Sequence, residues 1–493
     1  MPDTVSKYDW LTAEQCLSGG WFGLREVATP PDEAERFRME QGQEVGALAR
    51  KLFPDGVLVD GANGESADEV TQSLISDPRT SALFEPSFRV PPFVAKADIL
   101  RRVDGAWQLL EVKSSFSDTA KLSELVDDLA YTLWVLRKAG VDVTRAALVL
   151  LSRQYRYSDG PERLFEIVDK TDEANSRASD YEAAAAATVS ALFRDEPPSP
   201  TLSSACRECS RFGDTCLRTR SGHSVLEIPQ LHHTKLRRLS EAGIVDLEDV
   251  PADLKLNDRQ ERAKAATLSG NTIIEPGLAT ALASLEWPCH YLDFETVATV
   301  LPLYDGHGCH RQVLTQFSIH HRDNMDAEPR HSEYLADATM DCERELAEEL
   351  IQQLGDRGSI LVYSSFEQTR IKGLRDSFPD LAGRLDAILA RLKDLLAVVK
   401  DNVYHPEFHG SFSIKTVLPA LVPSLSYEGL DVRNGDMAIA RFARMARGEI
   451  TGNDVEVTRR QLLEYCAMDT LAMVSLHEVL HQFATARRRT AGR

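Results

Sequence analysis

The run YLDFETV, starting at Tyr291, constrains the fold of this chain more than any other stretch. Read as a strand, it puts Asp293 and Glu295 on one face and Leu292 and Phe294 on the other, because strand side chains alternate. Two carboxylates on an otherwise apolar strand are costly unless they bind a metal or pair with cations. The fold must therefore bring a compensating group to that face. LLEYCAMDTLAMVSL supplies a counterpart. In a helix, Tyr465 and Asp469 lie one turn apart on one side. Their neighbours Leu462, Leu463, Met468, Leu471 and Met473 read as a buried helix, where an aspartate needs a partner or a metal. Brought together, the two motifs form a cage for divalent cations with a phenol beside it.

Between these motifs lie further candidates. Glu367 follows an apolar strand expected at 360–363 and opens a helix, either as a site carboxylate or as favourable charge at a helix N-terminus. Asp394, in RLKDLLAVV, sits on a helical face as an outer ligand or a solvated residue. In HGSFSIKTVLPAL, Ser411, Ser413 and Lys415 stand where a helix begins. There they form a phosphate seat or a simple cap.

Asp293-x-Glu295, Glu367 and Tyr465-x-x-x-Asp469, in this order, resemble the DEDD exonucleases of the RNase H-like (DnaQ-type) fold. The tyrosine marks the DEDDy branch, and the resemblance covers most of 288–483. It departs at the second motif, where Phe366-Glu367 stands in place of the usual Phe-Asp. The resemblance implies two-metal phosphodiester hydrolysis with Mg²⁺ or Mn²⁺ held by Asp293, Glu295, Glu367 and Asp469. Tyr465 would orient the attacking water.

The N-terminal half carries a second constellation. VPPFVAKADILRRVDGAWQLLEVKSS reads as a β-hairpin whose first strand starts at Asp98 and whose turn is Asp104-Gly105. Glu111 and Lys113 share one face of the second strand, and Val112 points to the core. Asp98, Glu111 and Lys113 make either a metal site with a water-positioning cation or an ion-paired strand. The pattern resembles the PD-(D/E)xK nuclease fold in its RecB-like branch. That branch often has a Gln and a Tyr on the helix after the hairpin. Here the helix is expected at 122–139, with Thr132 near the Gln position, Asp128 close by, and Tyr131 as a substrate contact. An upstream His has no counterpart in GQEVGALARKLFPDG, where Glu44 is the available substitute.

Of eight cysteines, Cys206, Cys209 and Cys216 cluster, and Cys16 stands alone near the start. Four thiolates suit an iron–sulfur cluster or zinc. This spacing resembles the iron–sulfur RecB-like nucleases, which implies a [4Fe–4S] cluster, with Zn²⁺ as the alternative, clasping the ends of the nuclease domain.

The length of 493 residues suggests roughly three domains. The expected α/β architecture is a RecB-like PD-(D/E)xK domain closed by a four-cysteine cluster (1–220), a helical, helix-hairpin-helix-like linker (221–286), an RNase H-like mixed-sheet domain (287–485) and a basic tail (486–493). Strands fit 87–90, 98–103, 107–113, 146–151 and 164–167 before the linker, and 291–294, 313–320 and 360–363 after it. Helices fit 32–52, 341–354, 366–377, 381–399, 414–421 and 458–483. The net charge of −20 argues against a nucleic-acid coat protein, which would be basic. It leaves room for a nuclease with a local basic groove. No apolar stretch reaches the length of a membrane span, and the start lacks a signal-peptide pattern, so a cytoplasmic protein without a membrane partner is expected.

Taken together, phrases such as YLDFETV, GSFSIKTVLPALVP and YCAMDTLAM resemble an uncharacterised bacterial domain-of-unknown-function family that fuses a RecB-like half to a DEDD-like half. The implied activity is a metal-dependent nuclease on DNA, favoured over RNA, with single strands or ends as substrate, in repair or defence. The alternatives are a nucleic-acid-binding protein with an inactive N-terminal half and an RNA-processing exonuclease.

Overall fold

The computed structural model describes residues 3–26, 29–60, 66–220, 222–425 and 429–491, with side chains through 487. The chain is mixed α/β and divides into two compact units: residues 1–200 with 298–311, and residues 201–297 with 312–493. The loop holding Cys206, Cys209 and Cys216 thus groups with the second unit. Arg488 and Arg489 of the expected basic tail lie outside the residues whose side chains are described.

The first unit is built on a six-stranded mixed sheet. In chain order its elements are α1 (Lys7–Gln15), α2 (Leu17–Gly23), α3 (Glu33–Arg50), β1 (Val57–Leu58), α4 (Ala67–Ser76), β2 (Ala82–Phe84), β3 (Ser87–Val90), β4 (Phe93–Lys96), β5 (Ile99–Val103), β6 (Ala106–Phe116), α5 (Leu122–Lys138), β7 (Val143–Leu151), β8 (Phe165–Asp169) and α6 (Thr171–Leu192). The sheet order is β1-β2-β5-β6-β7-β8, and β3 and β4 form a separate hairpin. Asp104 (φ 52°) and Gly105 (φ 87°) close the β5–β6 hairpin, the two positive φ values that a two-residue hairpin turn of this hand requires. β6 then runs parallel to β7, with α5 as the crossover between them.

The continuous apolar run in β7 reflects burial on both faces. Leu109, Leu148 and Leu150 face a core with Trp10, Leu129 and Trp134. Leu110, Ala147 and Val149 face Ala49 and Phe84. Asp98 lies just before β5 rather than on it, and it accepts from Val112 N at 2.7 Å.

The second unit contains α7 (His233–Glu241), α8 (Asp258–Ser269), β9 (Ile273–Ile274), α9 (Gly277–Ala283), β10 (Cys289–Val297), β11 (Val313–Arg322), β12 (Arg330–Leu335), α10 (Glu343–Leu354), β13 (Ser359–Val362), α11 (Phe366–Ser377), α12 (Ala382–Arg391), β14 (Leu392–Asp394), α13 (Leu395–Asn402), β15 (Val403–Tyr404), α14 (Ile414–Leu421), α15 (Gly435–Ala446) and α16 (Asn453–Ala491). Its main sheet has the order β12-β11-β10-β13-β14. The acidic strand β10 is central, antiparallel to β11 and parallel to β13.

Alternation along β10 sorts the two faces. Leu292 and Phe294 pack with Phe317, Ile360, Leu346 and Ile371. Cys289 and Tyr291 face Met473 and Val474 of α16. Asp293 and Glu295 continue that second row. On α16, Leu462, Tyr465, Cys466, Asp469, Met473, Leu476 and Leu480 are all buried, the spacing of one helical stripe.

Two expectations for this unit are corrected. The helix expected over 381–399 is broken in the middle: residues 392–394 pair with β13 (Ile360↔Leu392, Val362↔Asp394), so Asp394 ends an edge strand and caps α13 through Leu396 N at 2.9 Å. The linker is not a helical hairpin. After α7 and Gly243, the second expected helix is one 3₁₀ turn, Leu247–Asp249. Pro251 follows and disfavours helical backbone at the residue before it.

Candidate functional site

The two motifs separated by some 170 residues meet in the second unit. Ligand oxygens of Asp293, Glu295 and Asp469 all lie within 4.8 Å of one another. Asp469 and Tyr465 are buried, at 9% and 3% exposure, whereas Asp293 and Glu295 are half-buried. Burial, then the carboxylates of Asp469, Glu295 and Glu367, drive the Asp293 carboxyl well above its usual range; a hydrogen bond with Cys466 Sγ at 3.5 Å opposes this. Burial and the Asp469 charge push Glu295 up to about 8, with the Lys415 ammonium pulling the other way. Crowded carboxylates raised in this way would be relieved by a bound cation. The donor set is all oxygen, which fits Mg²⁺ or Mn²⁺.

Glu367, in the first turn of α11, is buried at 3% exposure. Ser364 Oγ donates to its Oε2 at 3.3 Å, and burial raises it to about 7. It lies within electrostatic reach of Asp293 and Glu295 but outside the 4.8 Å triad. Asp394 acts on Glu367: its charge helps to raise the Glu367 carboxyl.

Lys415 Nζ donates to Tyr465 Oη at 3.1 Å. The phenol beside the acids is therefore held by a cation from the start of α14. Ser413 Oγ lies 2.9 Å from Thr416 Oγ1, and Ser413 N donates to Ser411 Oγ at 3.2 Å. Neither serine caps α14 in the usual side-chain manner. A cavity of about 450 Å³ opens beside Ser413, lined by Arg259, Lys400, Tyr363 and Phe412 among others.

In the first unit, β6 carries Glu111 and Lys113 into one charged group with Asp128 of α5 and Lys7 of α1. Lys113 Nζ contacts Glu111 Oε1 at 3.2 Å and makes a short contact with Asp128 Oδ2. Lys7 Nζ makes a short contact with Glu111 Oε1 and lies 3.7 Å from Asp128. Burial lowers both ammonium groups, but the Glu111 and Asp128 charges outweigh it, so both are raised. Burial and Glu111 push Asp98 up to about 7. Glu111 Oε2 is buried without a hydrogen-bond partner among the described residues, an orphaned acceptor that a cation would satisfy. A cleft of about 810 Å³ runs past Asp98, Lys113 and Ser114.

Tyr131 corrects the sequence expectation of a substrate contact. It is fully buried, and its hydroxyl donates to Val5 O (2.9 Å) and Val94 O (3.1 Å). Thr132 is likewise buried and donates to Asp128 O. The α5 residue that reaches the charged group is Asp128. Sequence reasoning missed Lys7, which follows the Ser6 cap of α1 and carries no motif, and Cys466, which reads as a small buried hydrophobe.

Cys16 caps α2 in the first unit, accepting from Gly19 N at 3.3 Å. In the second unit Cys206, Cys209 and Cys216 share one tight loop, with Cys209 N donating to Cys206 O (3.4 Å) and Gly213 N to Cys216 O (2.9 Å). They are not among the groups of described residues whose ligand atoms converge within 4.8 Å. A cluster in which each iron takes one thiolate does not require such close approach.

Residues 290–413 match a family model described as "Domain of unknown function (DUF2779)". The match spans β10 through the segment before α14. A curated relative, "Uncharacterized protein MG366 homolog" of Mycoplasma pneumoniae (strain ATCC 29342 / M129 / Subtype 1), is 26% identical over 218 residues, covering 40% of this chain and 32% of that protein. The chain thus spans about a third of the length of the curated relative it matches. Both comparisons reach part of the chain only, and they liken that part to a domain of unknown function and to a bacterial protein. No solved structure matches. No helix among the described residues is long and apolar enough to cross a membrane.

Proposed function

We propose that this protein is a metal-dependent nuclease that hydrolyses phosphodiester bonds, with DNA favoured over RNA and its cutting centre on the Asp293–Glu295–Asp469 triad. One observation carries the reading: three carboxylates from a central strand and a long helix lie within 4.8 Å of one another, close enough to raise the carboxyls of Asp293 and Glu295. A central acidic strand in a five-stranded mixed sheet supports the likeness to DEDDy exonucleases.

Mg²⁺ or Mn²⁺ ions on Asp293, Glu295 and Asp469, with Glu367 beside them, would supply Lewis acidity toward the phosphate and acidify water. The chain's own groups do the rest. Tyr465 orients the attacking water through its hydroxyl, and Lys415 fixes that hydroxyl. Ser411 and Ser413, beside the basic cavity at Arg259 and Lys400, seat a flanking phosphate. A cytoplasmic site of action and a role in repair or defence belong to the same proposal. So does the [4Fe–4S] cluster on Cys16, Cys206, Cys209 and Cys216, with zinc as its alternative. Brown protein with absorbance near about 400 nm, lost in Cys206→Ser, supports the cluster; colourless protein counts against it.

A second reading applies to the first unit. Lys7 pairs with Glu111, the carboxylate a metal would need, which favours a unit that holds nucleic acid without cutting it. Digestion of labelled DNA and RNA with Mg²⁺ or Mn²⁺ separates the readings. If Asp293→Ala alone abolishes cleavage and Lys113→Ala does not, the first unit binds and the second cuts. If neither variant loses activity, the proposed residues are wrong. Preferential cleavage of RNA turns the reading to RNA processing.

A further inference from the structure

The second unit also brings a different set of ligands together. His223, Glu227 and His409 offer one ligand atom each, all within 4.8 Å of one another. Glu227 Oε2 is 3.0 Å from His223 Nδ1 and 3.4 Å from His409 Nδ1. A tetrahedral ion with bonds of about 2.0–2.2 Å has ligand–ligand edges of about 3.3–3.6 Å, close to these separations. Two imidazoles and one carboxylate form the donor set that zinc takes with one position left open. Mg²⁺ and Ca²⁺ prefer oxygen throughout.

The surroundings fix the donors. Glu227 is buried at 8% exposure, and its second oxygen accepts from Ser224 N at 2.9 Å. The backbone of Glu227 abuts that of Gly410, where an added Cβ would meet Glu227 O at 2.8 Å. Tyr404 Oη joins the two segments, accepting from Gly410 N at 2.9 Å and lying 3.4 Å from Glu227 O. His409, between them, is held at φ 44°, ψ 37°. A non-glycine residue in this region is strained unless something holds it there.

We infer that His223, Glu227 and His409 bind a Zn²⁺ ion that clasps the turn at 225–227 to the segment leading into α14. The ion joins residues 182 positions apart in sequence. It steadies the segment that carries Ser411 and Ser413 into α14, where Lys415 stands, and its binding does not depend on the nuclease reading.

The test uses full-length protein stripped with EDTA and titrated with Zn²⁺ in excess Mg²⁺, which occupies the all-oxygen site. Co²⁺ provides a spectroscopic probe: nitrogen and oxygen ligands give visible d–d bands without thiolate charge transfer, which separates this site from the cysteine loop. His409→Gly removes one ligand, and glycine accepts the left-handed backbone. The expected result is loss of one Zn²⁺ equivalent, of those Co²⁺ bands and of the Zn²⁺-induced rise in Tm. His223→Ala should show the same losses, and Cys206→Ser should keep the bands. If His409→Gly and His223→Ala retain the Zn²⁺ stoichiometry and thermal response of the unaltered protein, the inference is overturned.

Discussion

Replacing Asp469 by asparagine should make the metal-free protein more stable and the metal-bound protein less so. Asp469 shares its surroundings with Asp293 and Glu295 within 4.8 Å. Two unit charges at that distance repel by about 3.5 kcal/mol at an effective dielectric constant of about 20. Partial protonation of Glu295, whose carboxyl is pushed up to about 8, already relieves some of this repulsion near neutral pH. A net gain of about 1–3 kcal/mol remains in EDTA above pH 8, and each kcal/mol moves Tm by about 2–4 °C in a domain of this size. In Mn²⁺ the order reverses. A cation at about 100 times its Kd stabilises the folded form by about 2.7 kcal/mol, and Asp469→Asn forfeits most of that. Thermal unfolding of both proteins in EDTA and in Mn²⁺ at pH 8.5 reads all four values. If the variant melts lower in EDTA, or gains as much from Mn²⁺ as the unaltered protein does, the carboxylates do not form a cation cage.

Other perturbations address single links. Glu295 and Glu367 are raised from an ordinary value of 4.5 to about 8 and about 7, so across that window the folded chain holds protons that the unfolded chain has released. Metal-free Tm should therefore fall as pH climbs from 5 to 8, and a rising Tm would contradict the burial argument. Lys415→Met removes the donor to Tyr465 and the cation beside Glu295; cleavage should drop about 10–100-fold and its acidic limb should move to higher pH, an unchanged profile ruling out the positioning role. Tyr131→Phe strips the hydroxyl from Val5 O and Val94 O, which costs about 1–3 kcal/mol in thermal unfolding without altering KM; a raised KM at unchanged Tm would restore Tyr131 as a substrate contact.

The parts of the fold legible in the sequence are those where a local period is tied to burial. Alternation in YLDFETV assigns Asp293 and Glu295 to one face and Leu292 and Phe294 to the other, as β10 has them. Asp104-Gly105 makes the hairpin turn that its φ preferences dictate. The stripe through Tyr465, Asp469 and Met473 stays helical because each repeat faces the core. What escaped depends on partners distant in sequence. Leu392–Asp394 has helical neighbours on both sides, yet it becomes strand because β13 offers an open edge. Tyr131 is expected at a substrate from a resemblance alone, but a layer containing Val5 and Phe93 covers it. Lys7 and the His223–Glu227–His409 group have no local signature, since their meaning arises only when the chain returns from more than a hundred positions away.

Anomalous diffraction from crystals grown with Mn²⁺ tests the central claim most directly. The account predicts manganese bound by the carboxylates of Asp293, Glu295 and Asp469, and its loss in Asp293→Ala. Saturating Mn²⁺ that leaves no anomalous peak beside those three carboxylates would contradict it.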